Sequence, residues 1–135
     1  MNRARMADGI GERPRRTTRR RNLPIDESAV TIAEAHALSP RMERDARRIL
    51  ECASQLTRLK IVRALMETPL AASDLARVVG RSAAATSQHM RVLREVGAVT
   101  ATRSGNVIRY RMSREPSAEI LETIARSFDQ LGKRE

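Results

Sequence analysis

The stretch from Ser73 to Met112 reads SDLARVVGRSAAATSQHMRVLREVGAVTATRSGNVIRYRM, and a change of period in its middle decides the fold. Its first part holds two helical segments, Ser73 to Val79 and Ser82 to Val96, each running into a glycine, Gly80 or Gly97. Glycine takes up the left-handed conformation that closes a helix C-terminus without steric cost. Two helices joined across Gly80 and Arg81 spell a helix-turn-helix. Beyond Gly97 the apolar spacing falls from about 3.6 residues to about 2. Val99, Ala101 and Arg103, then Val107, Ile108, Tyr110 and Met112, are split by Ser104-Gly105-Asn106, which predicts a β-hairpin. A basic hairpin next to such a helix pair is a wing. The expected fold is therefore mainly α with a small β-hairpin wing.

The second helix of the pair carries the chemistry. Helical spacing places Ala85, His89, Val92, Leu93 and Val96 on one face, expected to point to the core. The opposite face then presents Ala84, Ser87, Gln88, Arg91 and Arg94, preceded at the N-terminus by Ser82 and Ala83. Gln88 offers a paired donor and acceptor suited to adenine, Ser82 and Ser87 are adaptable, and Ala83 or Ala84 suits a thymine methyl. Arg91 and Arg94 are expected to hold phosphates, with Arg103 and Arg109 adding charge from the wing. The plain alternatives are an amphipathic helix with a solvated outer face and a structural hairpin with solvated arginines.

Working outward, the flanking sequence supplies more helices. From Arg41, Met42, Ala46, Ile49, Leu50 and Ala53 recur at helical spacing. Thr57 to about Glu67 follows, with Leu59, Val62, Leu65 and Met66 as its stripe, and Thr68-Pro69 ends it. A last helix begins near Pro116 and carries Ile120, Leu121, Ile124, Phe128 and Leu131. Ahead of them all, Asp26 or Ser28 is placed to cap a helix running to Leu38, with Ile25, Ile32, Ala35 and Leu38 as a thin stripe. Residues 1 to 24 are dense in arginine, glycine and proline and offer little to bury, so they are expected to form a disordered arm. Residues 25 to 135 are expected to form the winged domain with its extra N-terminal helix.

Composition narrows the partners. The 135 residues carry 26 basic and 16 acidic side chains, a net charge of +10, which points to an acidic polymer. Eight arginines in residues 1 to 21, Arg19, Arg20 and Arg21 among them, face only Asp8 and Glu12. Such an arm suits a minor groove, a solvated tail being the alternative, as is a translation start at Met6 or Met42. Tyr110 and Phe128 are the only aromatic residues, too few for base-stacking single-strand modules, so duplex DNA is favoured. The single Cys52 excludes an intrachain disulfide and suits a reducing compartment. No apolar run approaches a membrane span and no secretory signal is legible, so a cytoplasmic, nucleoid-associated location is expected. No phosphate-cradling loop, nucleophile with its base or metal cage is present, so neither an enzyme nor a cofactor is expected.

Four motifs stand in order: Thr57-Arg58-Leu59-Lys60-Ile61-Val62, Asp74-Leu75-Ala76, the run from Ser87 to Gly97, and Gly105 through Tyr110-Arg111-Met112. Together they resemble the ArsR/SmtB family of bacterial winged-helix repressors. The resemblance implies a homodimer on an inverted-repeat operator, held by the first and last helices of the winged domain, and Met42, Ile49, Ile120, Ile124 and Phe128 are the candidate seam. The family's metal box corresponds to Pro69 through Leu75, where Ala71 and Ser73 stand at the thiolate positions, and beyond His89 the chain has no histidine for the family's second site. No metal is therefore expected, and the effector is not legible. His89 matches the family's recurrent histidine and reads as a packed side chain. Cys52, near the end of a seam helix, is the candidate redox residue if it pairs across the two-fold; otherwise it is a small buried hydrophobe. The alternative function is a non-specific architectural protein with the same basic surface.

Overall fold

The computed structural model describes Leu23 and residues 25–133. The chain divides between Leu38 and Ser39, later than the 24/25 boundary expected from composition. In the first unit, helix α1 spans Glu27–Glu34, and the Asp26 carboxylate caps it by accepting from Ala29 N–H at 3.0 Å. The helix stops short of the expected Leu38. Its β-branched run Val30-Thr31-Ile32 is a poor helix former, and Ile25, Ile32 and Leu38 are exposed, so no burial extends it.

The second unit opens with α2, Pro40–Ala53, whose start is fixed twice: Pro40 is pre-set for the first turn, and Ser39 Oγ accepts from Met42 N–H at 3.1 Å. Helix α3, Leu56–Glu67, ends where Thr68 turns extended before Pro69. Strand β1, Leu70–Ala71, leads into α4, Ala72–Val79. Gly80 then takes φ +67°, and Arg81 N–H reaches back to the Ala76 carbonyl at 3.1 Å, closing the helix as the sequence predicts.

Helix α5, Ala83–Glu95, starts at Ser82 and is closed beyond Val96 by Gly97 at φ +81°, with Ala98 N–H on the Leu93 carbonyl at 3.0 Å. Strands β2, Val99–Ser104, and β3, Val107–Met112, form the hairpin. Helix α6, Pro116–Ser127, and the single turn α7, Asp129–Gly132, complete the chain.

The sheet is antiparallel in the order β1-β3-β2. Ser104 opposite Val107 leaves a two-residue turn, and Gly105 alone has positive φ, +63°, as glycine at the first turn position allows. The third strand, β1, escaped the sequence because two residues carry no alternation; Leu70 is identified only by lying opposite Tyr110.

The core gathers α2 to α6 and the sheet around Ile61, Val62, Leu75, Met90, Leu93 and Leu121. Each large side chain taken fully out of water contributes about 1.5–3 kcal/mol. Two expected stripes are rotated. On α5 the buried residues are Thr86, Met90 and Leu93, while Ala85, His89, Val92 and Val96 are not fully enclosed. Thr86 reads as polar but hides its hydroxyl by donating to the Ser82 carbonyl at 2.9 Å. On α6 the core takes Ala118, Leu121 and Ala125, and the larger Ile120 and Phe128 remain exposed. Small residues face inward there because α6 packs against both α2 and α3.

Candidate nucleic-acid interface

The polar face of α5 is intact as expected. Ala83, Ala84, Ser87, Gln88, Arg91 and Arg94 line the outer side of the helix, and Gln88, Arg91 and Arg94 reach solvent. Ser82 is exposed too, but its Oγ accepts from Ala85 N–H at 3.1 Å, so it sets the start of the helix and keeps its proton and one lone pair free. Core packing through Met90 and Leu93 fixes the rotation of the helix, and that rotation is what aims Gln88 outward.

A concavity of about 710 Å³ runs along this face, lined by Ala84, Ser87, Gln88, Arg91 and Arg94, with Tyr110 of β3 as a wall. Tyr110 is a site residue that sequence reasoning placed only in the wing; the pairing of β3 brings it beside α5. Strand register also separates the wing arginines. Opposed residues share a face, so Arg103, opposite Ile108, lies on the Tyr110 side, whereas Arg109 and Arg111, opposite Thr102 and Thr100, lie on the other. The two expected wing arginines thus flank the hairpin rather than forming one patch.

His89 reveals the local potential. Its acidity is shifted so that protonation is harder than usual, first by burial and then by the positive charges of Arg58 and Arg81. Arg81, exposed in the turn just before Ser82, was not singled out from the sequence, although its place beside a helix N-terminus is a legible signal. Arg58 donates to the carbonyls of Glu51 and Cys52, both at 3.4 Å, tying the start of α3 to the end of α2.

Of the candidate seam, Ile49 belongs to the chain's own core at 8% exposure, whereas Met42, Ile120 and Phe128 are exposed and Ile124 is half-buried. Cys52 is 1% exposed, and burial pushes its thiol up, with Arg58 partly offsetting. Both features oppose thiolate chemistry, which needs an accessible, acidified sulfur. Ala71 and Ser73 fall in β1 and the first turn of α4. Among the described residues, no three of His, Cys, Asp and Glu converge as a metal site would require. Arg19, Arg20 and Arg21 lie outside the described residues.

A helix pair with an outward polar face on its second helix, followed by a hairpin that walls the same groove, defines a winged helix-turn-helix protein. Residues 56–101, from the start of α3 into β2, match the family model for bacterial regulatory proteins of the arsR family. The HTH-type transcriptional regulator NmtR of Mycobacterium tuberculosis is 34% identical over 73 residues, 54% of this chain, and the chain spans 61% of that relative's length. Among solved structures, the transcriptional repressor BigR from Xylella fastidiosa superposes with a TM-score of 0.60 at 25% identity, covering 67% of this chain and 90% of BigR. The homodimeric winged helix-turn-helix domain of Mb0332 from Mycobacterium bovis gives 0.61 at 21% identity, over 74% of this chain and 95% of its own, a likeness of fold. The named relatives are transcriptional regulators, not enzymes. No described helix is long and apolar enough to cross a membrane.

Proposed function

We propose that the chain is a dimeric transcriptional repressor that reads a specific duplex DNA sequence with α5 and its wing. The observation that carries this reading is the outward face of Ser87, Gln88, Arg91 and Arg94, ordered along a groove beside the hairpin. A face of this chemistry suits a major groove, with Gln88 reading a base edge and Arg91 and Arg94 on phosphates. Arg103 and Arg109 hold the backbone from either face of the wing, and the arm with Arg19, Arg20 and Arg21 binds further phosphates. Repression is proposed from the likeness to BigR, a transcriptional repressor that resembles this chain in fold, with 25% identity over the matched part.

The second copy packs on α2 and α6, where Met42, Ile120 and Phe128 leave apolar surface uncovered. The homodimeric Mb0332 domain has the same fold. A two-fold dimer presents two α5 helices to an inverted repeat. The repressor we propose senses no soft metal through β1 and the first turn of α4, because Ala71 and Ser73 offer no thiolate.

The test is titration of the purified protein against the duplex upstream of its own gene, with scrambled duplex as competitor at physiological salt. Binding that survives a large excess of scrambled DNA is expected. Equal competition would replace this reading with that of a non-specific architectural protein.

A further inference from the structure

A second cavity, away from the polar face of α5, lies between α2, the C-terminal end of α5 and the start of α6. Its volume is about 370 Å³, and Ile49, Val96 and Ser117 form its buried or half-buried floor. Ser117 is 8% exposed, yet its Oγ has no hydrogen-bond partner. It sits in the first turn of α6, a helix of 12 residues whose N-cap, Glu115, makes no side-chain capping bond. A spare hydroxyl and an uncapped, positive helix end therefore line one cavity.

The rim carries charges of both signs. Arg41, Asp45 and Arg48 stand at i, i+4 and i+7 on α2, hence on one face, with Glu115 across from them. Asp45 is spaced to pair with either arginine, but it pairs with neither; among the described residues the ion pair is Arg63 with Asp129.

We propose that this cavity binds a small zwitterion of the amino-acid type, its carboxylate held by Arg41, Arg48 and the Ser117 hydroxyl and its ammonium by Asp45 and Glu115. A simple anion would face two carboxylates, and a simple cation would face two guanidiniums and a helix N-terminus. The size falls at the lower end of the range for ligand cavities, roughly 300–1,000 Å³, which suits a small metabolite.

Arg48 connects this cavity to the DNA-reading helix. It donates to the Glu95 carbonyl at 3.0 Å in the last turn of α5, and Val96 on the floor is the cap of the same helix. A ligand carboxylate that draws on Arg48 weakens its hold on Glu95, so ligand and duplex compete through the end of α5. This coupling rests on the DNA-reading function proposed above; ligand binding itself does not.

The experiment is calorimetric titration of the full chain, without DNA, against each of the twenty protein amino acids, with acetate and methylammonium as single-charge controls. At least one amino acid is expected to bind saturably and neither control to do so. Arg41→Gln and Ser117→Ala are each expected to weaken that binding by about tenfold or more, with the unliganded melting temperature unchanged. Arg41 is exposed, so its variant keeps the test valid if Ser117→Ala fails to fold. Absence of saturable binding by every amino acid, or binding untouched in both variants, overturns the site. Because the titration contains no DNA, failure of duplex binding is a separate result and overturns only the function proposed above. Where duplex binds, the same amino acid is expected to lower its affinity in the wild type but not in Arg48→Gln; unchanged wild-type affinity overturns the coupling.

Discussion

Gln88 and His89 are neighbours in sequence but meet different surroundings, because one step along α5 turns a side chain from the groove toward Arg58 and Arg81. Replacing Gln88 with alanine disturbs nothing in the core, so melting should be unchanged, while affinity for the proposed operator falls by roughly 1–3 kcal/mol and affinity for random duplex stays the same. Competition titrations on both duplexes check this, and an equal loss on both would assign Gln88 to non-specific binding. His89 has a different signature. Burial and the charges of Arg58 and Arg81 hold its folded value below the ordinary 6.5, so the unfolded chain takes up the proton first. Its contribution is then complete above the ordinary value and shrinks as pH falls through it toward the folded value. Urea unfolding at about pH 8 and about pH 5.5 should show a larger loss for the wild type than for His89→Gln; equal losses would mean that the histidine plays no part in the acid sensitivity. Sequence alone identifies His89 only as a packed residue. The charges pressing on it come from α3 and from the turn before α5, which only folding brings together.

Several helix ends here are set by local features that the sequence shows. Asp26, Ser39 and Ser82 cap their helices with side-chain oxygens, and Gly80 and Gly97 close α4 and α5 with positive φ. At Gly80 an added Cβ would meet nothing within 4 Å, so Gly80→Ala isolates the backbone penalty of φ +67°. The expected loss is about 1–2 kcal/mol in chemical denaturation, with no change in the slope of unfolding. A neutral result would mean that α4 and α5 can adjust their junction. What each element buries is less legible. The stripe of α5 is rotated from the expected one, because Thr86 hides its hydroxyl against the Ser82 carbonyl and behaves as a small core residue. On α6, close packing selects Ala118 and Ala125 over the larger Ile120 and Phe128.

For the whole molecule, apolar side chains left exposed on α2 and α6 and the basic arm each carry an expectation. Ile120→Glu and Phe128→Glu place charges where the second copy is proposed to sit, so sedimentation should show monomers that remain folded. Monomers should lose affinity for an inverted repeat far more than for a half-site; a persisting dimer would move the seam elsewhere. Removing residues 1–21 takes away six of the ten net positive charges. If the arm neutralises phosphates, the slope of log affinity against log salt should become shallower by about one unit for each phosphate no longer neutralised, and an unchanged slope would set the arm aside. The sequence by itself determined the order of helices, the glycine stops, the wing and the outward polar face of α5, because each is written in local spacing and in the conformational limits of single residues. Only the tertiary structure decided that Ile49 and Cys52 are core, that β1 adds a strand, that Tyr110 walls the groove beside Gln88, and that Ser117 is buried without a partner. Those facts depend on which distant segments share a volume, and close packing settles that choice over the whole domain at once.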